Sequence, residues 1–306
     1  MNNAPLLSIS CLTYNHGQYI RKCLEGFLMQ KTTFEFEILI YDDASTDDTV
    51  EVIKEFAAKY PNLVFPIYQK ENQYQKGVRG MMARFNFPRA RGKYIALCEG
   101  DDYWTDPKKL QKQVDFLESN PDYVICFHKA QVLERENLLD DALEERYNRI
   151  RHRPVRKTDL LEQSNFMHTH SVVFRNVLKE FPMEINFSPA GDFIMHIALS
   201  DHGYIHRIDE VMGVYRMGSG VYSTLDSFSM RLQKIKLEIS ILSALQRPAE
   251  KEIMLKRVFQ SLDRWKNPRA ETNRFDALKD VVSVKLICKI LLHKIYCFLW
   301  PKRKHN

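Results

Sequence analysis

Residues 93–102 read KYIALCEGDD, an almost wholly apolar run that ends on three acidic side chains around one glycine. Two earlier segments have the same pattern, an apolar run that is followed by polar residues. LLSISCLT (6–13) leads into the turn Tyr14-Asn15-His16-Gly17, and EFEILIYDD (35–43) ends on two aspartates. Continuous apolar strands are typical of sheets that are covered on both faces. These segments therefore predict buried strands with polar carboxyl ends.

Helical patterns alternate with these strands. The sequence predicts helices over about 18–30, 48–60 and 77–91, and a further strand over 63–70. The order β-α-β-α-β-α-β predicts an α/β fold with a mainly parallel central sheet and helices on both faces. In open sheets of this kind, ligands bind at the carboxyl ends of the strands.

The composition is that of an ordinary globular protein. The 306 residues are 44% hydrophobic and 27% charged, with 11 Gly and 12 Pro, which excludes disordered and low-complexity classes. The six cysteines form no CxxC motif, and the N-terminus has no signal-peptide pattern, so we expect buried thiols in the cytoplasm. The absence of G-x-G-x-x-G and P-loop motifs argues against dinucleotide dehydrogenases and P-loop enzymes.

The positive charge is concentrated in the tail. Residues 277–306 contain seven of the 45 Lys and Arg but one of the 39 acids, which leaves 38 of each sign elsewhere. This distribution argues against a nucleic-acid partner. Lys285, Lys289 and His293 form one polar stripe on an apolar helical pattern, followed by a basic cluster at 302–304. The pattern predicts a helix on an anionic membrane surface; the alternative is a helix docked on the core or on a second subunit.

The acidic strand ends indicate a cation. Adjacent carboxylates repel each other unless a cation or a proton relieves them, and the pair Asp101-Asp102 suits a hard divalent ion such as Mg²⁺. Because Mg²⁺ commonly lies between carboxylates and phosphates, a nucleotide diphosphate is a matching ligand. His168 and His170 alternate along a predicted strand, but neither an HExxH motif nor a nearby cysteine pair completes a zinc site.

Several motifs together resemble one family. The segments SISCLTYNHGQYIRKCLEGFLMQ (8–30), EFEILIYDDASTDDT (35–49) and ARGKYIALCEGDDYWTDPKKLQKQVDFL (90–117) resemble the N-terminal half of family 2 glycosyltransferases of the GT-A fold. The resemblance continues more loosely through 165–176, 188–203 and 211–223. It implies a GT-A domain over 1–225, with a nucleotide-binding half (6–128) and an acceptor half (158–223). A helical C-terminal extension with a basic amphipathic tail would follow over 226–306.

The resemblance assigns a nucleotide site. It implies that the base is held by the first turn and by the end of the second strand, that is by Thr13, Tyr14, Asn15 and Asp43, with Asp42 beside them. A carboxylate can accept the imide proton of uracil and a tyrosine can stack on the base, which favours a UDP-sugar. Asp101 would face the ribose, and Asp102 would bind Mg²⁺ or Mn²⁺ at the diphosphate.

The resemblance also implies the reaction. Asp192, at the start of a predicted helix, would act as the base that activates an acceptor hydroxyl in an inverting displacement. The acceptor would be a saccharide or a lipid-linked oligosaccharide of cell-surface polysaccharide synthesis, at the inner face of the membrane. Asp43 and Asp192 also suit mere helix caps. Many relatives carry a histidine after the Tyr-Arg pair, whereas Met217 follows Tyr215-Arg216 here.

Two other functions, and the role of one basic segment, remain open at this stage. A sugar nucleotidyltransferase would share the sheet and the acidic metal ligands, but would normally carry a basic, glycine-rich loop after the first strand. A binding or scaffold protein would keep the fold without catalysis. The basic segment 146–157 is either a solvated loop or a guide for an anionic acceptor.

Overall fold

The computed structural model describes residues 4–186, 188, 190–218 and 226–266. Within these residues nine strands form one sheet. The strands are β1 Leu7–Thr13, β2 Phe36–Asp42, β3 Val64–Tyr68, β4 Tyr94–Glu99, β5 Tyr103–Trp104, β6 Tyr123–Glu134, β7 Asn137–Asp140, β8 Val173–Arg175 and β9 Tyr204–Met217. The helices are α1 Ile20–Leu28, α2 Thr49–Lys59, α3 Lys109–Ser119, α4 Glu144–Asn148, α5 Lys157–Gln163, α6 Gly191–Leu199, α7 Ser227–Ala244 and α8 Pro248–Lys266.

The sheet has the order β3-β2-β1-β4-β8-β6-β9-β5, with β7 paired to β6. Strands β1 to β4 are mutually parallel, β9 runs parallel to β6, and β8 is antiparallel to both of its neighbours. The predicted α/β fold with a mainly parallel sheet is therefore confirmed. The antiparallel strand β8 joins the two parallel groups.

Alternation of side chains in β4 shows how the sheet is buried on both faces. Ala96 and Cys98 pack into the core on one face of the sheet, beneath α1, α2 and α3. Ile95 and Leu97 pack into the core on the other face, beneath α5 and α6. Because successive strand residues point to opposite faces, an uninterrupted apolar run fills both cores at once. The cysteines at 11, 23, 98 and 126 are buried free thiols, as expected.

The helix predicted over 77–91 is present only in part, as two short turns of other helix types. A five-residue π-helical turn covers Met82–Asn86 and a short 3-10 turn covers Phe87–Arg89. Gly77 and Gly80 have φ angles of 84° and 69°, which a right-handed helix does not allow.

The strand predicted around His168 and His170 is also wrong. Residues Thr169–Ser171 form a 3-10 turn, and strand β8 begins after it. The two rings still stack, with centroids 5.9 Å apart.

At the C-terminal end, the predicted amphipathic helices over 228–266 are present as α7 and α8. Ile241, Leu245 and Met254 pack into the core. Met1–Ser261 form one compact unit and Leu262–Asn306 a second. The predicted domain boundary at 225 stays a prediction, and the basic tail over 277–306 lies outside the described residues. None of the helices in the described ranges is long and apolar enough to span a membrane.

Asn86 ties the π-helical turn to the sheet. Its side-chain amide is fully buried and donates to the Ser10 hydroxyl at 3.0 Å, to the Cys11 carbonyl at 3.1 Å and to the Leu39 carbonyl at 3.2 Å. Its amide oxygen accepts from the Arg89 guanidinium at 2.8 Å. This one side chain thus fastens the turn to both β1 and β2.

We predict that Asn86→Ala lowers the free energy of unfolding by about 2 kcal/mol, because it leaves buried polar groups without partners. Urea denaturation followed by circular dichroism measures the change. Asn137→Ala, on the exposed strand β7, is the control and is expected to change the stability by less than about 0.5 kcal/mol. Equal stability of the two variants would contradict the role given to Asn86.

Candidate functional site

Strand register brings three chain segments to one edge. Thr13 at the end of β1 lies opposite Asp42 at the end of β2, and Leu12 lies opposite Glu99 at the end of β4. Since these strands are parallel, their carboxyl ends open on the same side. The residues predicted at the ends of separate strands are therefore neighbours in the structure.

An acidic cluster occupies this edge. Glu99, Asp101 and Asp102 each offer a carboxylate oxygen, and these oxygens lie within 4.8 Å of one another. Burial, reinforced by Asp101, raises the pKa of Asp102 well above its usual range. Burial and the charges of Asp101, Asp102 and Asp192 likewise raise the pKa of Glu99. The cluster thus concentrates more negative charge than its protein surroundings neutralise.

Asp102 is held from two sides. The backbone N–H of Arg216 donates to its Oδ1 at 2.7 Å, and Nδ1 of His170 lies 3.2 Å from its Oδ2. The Arg216 side chain donates from Nε to the Asp101 carbonyl at 3.0 Å and lies over the Tyr19 ring at 4.1 Å. The end of β9 is therefore fastened to the acidic cluster.

The first turn meets the cluster at Gly100. A Cβ on Gly100 would lie 2.8 Å from the Thr13 hydroxyl and 3.0 Å from Nδ1 of His16, so the close approach requires glycine. His16 Nε2 lies 3.8 Å from an Asp101 carboxylate oxygen, and burial lowers the pKa of this histidine. Thr13 is buried.

The rest of the predicted base-binding turn faces outward. Asn15 has a φ of 54°, and its side-chain oxygen accepts from the Thr46 N–H at 2.8 Å. Tyr14 is half-buried, with its hydroxyl 3.5 Å from the Gln75 amide. The turn is thus joined to the segment that follows β2.

Asp43 holds a loop. Its carboxylate accepts from the Tyr41 hydroxyl at 2.9 Å and from the backbone N–H groups of Gln73 and Tyr74 at 2.8 Å and 3.0 Å. Its carbonyl accepts from the Asn72 amide at 3.0 Å. Asp43 therefore fixes the segment between β3 and the π-helical turn.

Asp192 lies in the first turn of α6 and is half-buried. The Asn165 amide lies 3.5 Å from its Oδ2. Burial and the charges of Asp102, Glu99, Asp101 and Asp192 raise the pKa of Tyr215. The charge of Asp192 thus acts on Glu99 of the cluster and on Tyr215.

Of the predicted residues, Asp101 and Asp102 belong to the acidic cluster, and Thr13 lies against Gly100 beside them. Tyr14 and Asn15 follow Thr13 in the first turn, the Asp43 N–H donates to the Thr13 carbonyl at 3.0 Å, and the charge of Asp192 acts on Glu99. The sequence analysis placed Glu99 among the acidic strand ends but did not name it as a metal ligand, and it did not connect His170 with Asp102. Glu99 stands directly before the Gly-Asp-Asp motif, which is a usable local signal. His170 has no local signal of this kind, because its contact partner Asp102 is far away in the sequence.

The basic segment 146–157 makes contacts within the chain. Its ion pairs join Arg149 to Glu145, Arg153 to Asp159, and Lys157 to Asp201 and Glu250. These contacts agree with a structural role for those side chains. Guidance of an anionic acceptor by this segment stays a hypothesis.

The acidic cluster suits a hard divalent cation. Its donors are carboxylate oxygens, the ligands that Mg²⁺ and Mn²⁺ prefer. Asp102 Oδ2 is buried and makes no aligned hydrogen bond within the part of the chain that the structure describes. A cation would relieve both the repulsion and this unsatisfied oxygen.

The sheet and the site at its carboxyl edge define a GT-A-fold protein. The crystal structure of S. aureus TarS with UDP-GlcNAc matches at a TM-score of 0.60 and 17% identity, over 83% of this chain and 72% of that one. The mannosyltransferase PcManGT of Pyrobaculum calidifontis, solved with GDP-Man and Mn²⁺, matches at a TM-score of 0.56 and 15% identity, over 99% of this chain and 89% of that one. At these identities the similarity establishes the fold alone.

The sequence establishes the family. The pattern of glycosyl transferase family 2 matches residues 8–181, more than half of the chain, and the chain belongs to that family. An uncharacterised protein of Mycobacterium tuberculosis is 40% identical over 212 residues. The aligned part covers 69% of this chain and 58% of the mycobacterial protein.

We predict that Asp43→Asn accelerates hydrogen exchange of the Gln73 and Tyr74 amides by about tenfold or more, because an amide group replaces one accepting oxygen. Exchange followed by mass spectrometry or NMR measures the effect. Asp48→Asn is the control, since Asp48 is exposed and makes no side-chain cap. Unchanged exchange in Asp43→Asn would show that the loop is held by other contacts.

Proposed function

We propose that this chain is an inverting, metal-dependent glycosyltransferase. It transfers a sugar from a UDP-sugar to a saccharide or lipid-linked oligosaccharide in cell-surface polysaccharide synthesis. The observation that carries the proposal is the acidic cluster at the carboxyl edge of the sheet, which the strand register places beside the first turn. Family membership supports glycosyl transfer as the reaction class.

The nucleotide would lie along the first turn. Tyr14 and Asn15 flank the end of β1, and Asp43 closes β2 beside them. A carboxylate has about four lone-pair sites, so Asp43 retains capacity for the imide N–H of uracil beside its three present donors. TarS, which shares the fold, was crystallised in complex with UDP-GlcNAc, and this supports a uridine nucleotide here.

The diphosphate would lie at the acidic cluster. Asp102 and Glu99 would hold Mg²⁺ or Mn²⁺, and Asp101 would face the ribose. The cation would offset the negative charge that develops on the departing nucleotide diphosphate. The hydrogen bond from the Arg216 backbone N–H and the close contact with His170 support this role of the Asp102 carboxylate.

Asp192 would act on the acceptor. Its carboxylate removes the proton of an acceptor hydroxyl as that oxygen bonds to the anomeric carbon, while the bond from this carbon to the diphosphate oxygen breaks on the opposite side. One displacement inverts the anomeric centre and needs no carboxylate nucleophile. Asp192 lies in the first turn of α6, at the end of the helix where the dipole is positive.

The sequence of the basic tail over 277–306 supports the proposed acceptor and the proposed location at the membrane. Its seven basic residues and apolar helical pattern over 277–306 suit an anionic membrane surface, where lipid-linked saccharides are found. We place the protein in the cytoplasm at the inner face of the membrane, with a GT-A domain over 1–225 and the helical extension over 226–306.

The donor site predicts metal-dependent nucleotide binding. We expect UDP to bind the wild type in the presence of Mn²⁺ and at least about tenfold more weakly to Asp102→Asn, because the substitution removes an anionic ligand. Calorimetric titration with UDP, GDP, CDP and dTDP, with and without Mn²⁺, measures both effects. Asp115→Asn, an exposed carboxylate on α3, is the matched control. If the folded wild type binds none of these nucleotides, a scaffold role replaces the proposal.

The assignment of Asp192 as the catalytic base predicts a loss of turnover that is separate from nucleotide binding. Asp192→Asn is expected to lower kcat by about 10²–10⁴-fold while the calorimetric affinity for UDP and Mn²⁺ stays unchanged, because the side chain acts on the acceptor proton. Release of UDP in the presence of a responsive acceptor measures the rate. Wild-type turnover by this variant would assign the base to another residue.

A further inference from the structure

His170 is in contact with the carboxylate proposed to bind the cation. Its Nδ1 lies 3.2 Å from Asp102 Oδ2, and neither side chain is exposed to solvent. Among the residues that the structure describes, neither of these two atoms has an aligned hydrogen-bond partner, so the pair is a close contact between two buried polar atoms. The contact between the imidazole and the carboxylate is therefore buried inside the protein.

Two long side chains fix the backbone that carries His170. The Trp104 indole N–H donates to the His170 carbonyl at 2.8 Å, and the Gln113 amide donates to the Ser171 carbonyl at 2.9 Å. Trp104 and Gln113 come from β5 and α3, the elements that directly follow the acidic cluster in the chain. The 3-10 turn is thus anchored to the same structure that positions Asp102.

Space for the ring is created by a glycine. A Cβ on Gly213 of β9 would lie 2.7 Å from Cδ2 and 3.1 Å from Nε2 of His170. It would also lie 3.2 Å from Cε1 of His128, whose ring centroid is 5.7 Å from that of His170. Any larger residue at 213 would push the imidazole rings from their places.

We propose that His170 is a positioning residue for the divalent cation, acting through Asp102; the inference rests on the metal site of the proposed function. The Arg216 N–H donates to Asp102 Oδ1, and Nδ1 of His170 lies in close contact with Oδ2, where the tautomer with a proton on Nδ1 presents a donor to that oxygen. A carboxylate contacted at both oxygens is restricted in its rotation, which would keep one orientation of Asp102 available to the cation. Outer partners of this kind typically change metal affinity by about 10–100-fold when they are removed.

The test is the affinity for Mn²⁺ alone, measured by electron paramagnetic resonance as free Mn²⁺ is titrated with protein. We expect His170→Leu to bind Mn²⁺ at least about tenfold more weakly than the wild type. His170→Asn, whose amide N–H can occupy the position of Nδ1, is expected to stay within about threefold of the wild type. His170→Gln carries its donor farther from the backbone and is expected to lose affinity as the leucine variant does.

His128→Leu is the matched control, because His128 is equally buried beside His170 but its Nδ1 contacts the Lys129 carbonyl at 2.7 Å. It should bind Mn²⁺ as the wild type does. Thermal melting identifies variants that do not fold; if the leucine variant is among them, the Asn and Gln pair decides the question. Equal Mn²⁺ affinity of Asn and Gln, or an equal loss in His128→Leu, would overturn the positioning role. A wild type that binds no Mn²⁺ would instead remove the metal site itself.

Discussion

Repulsion among Glu99, Asp101 and Asp102 is the constraint on which the rest of this structure depends. Three carboxylate oxygens within 4.8 Å of one another are unfavourable in a buried site unless donors or a cation oppose them. The protein supplies part of that opposition through the Arg216 backbone N–H. The same strand β9 pairs with β5, with Val214 opposite Tyr103. The acidic cluster is therefore connected to the last two strands of the sheet order.

Gly100 turns two neighbouring features into one site. Because it has no side chain, the Thr13 hydroxyl and the His16 ring can approach the chain between Glu99 and Asp101. This close approach places the first turn, which is predicted to bind the nucleotide, against the predicted metal ligands. A ligand with a base at one end and a diphosphate at the other could therefore contact both without any rearrangement of the sheet.

Local patterns in the sequence predicted the fold well, because strands buried on both faces have uninterrupted apolar runs whatever their partners are. The errors have physical causes as well. The segment 77–91 has helical apolar spacing, but Gly77 and Gly80 adopt positive φ and the Asn86 side chain bonds to the sheet instead. The contact between Arg216 and Asp102 spans 114 residues, and no local spacing reveals such a pair.

Asp43 shows why residue type alone did not describe the site. The sequence assigned this carboxylate to the nucleotide base, whereas the structure shows it accepting hydrogen bonds from Tyr41, Gln73 and Tyr74. These donors leave about one of its four lone-pair sites for another partner. In the proposed site, base recognition and loop order would thus depend on one side chain. A substitution there changes the free energy of both, so affinity for a nucleotide measures the contact with the base only when the order of the loop is measured beside it.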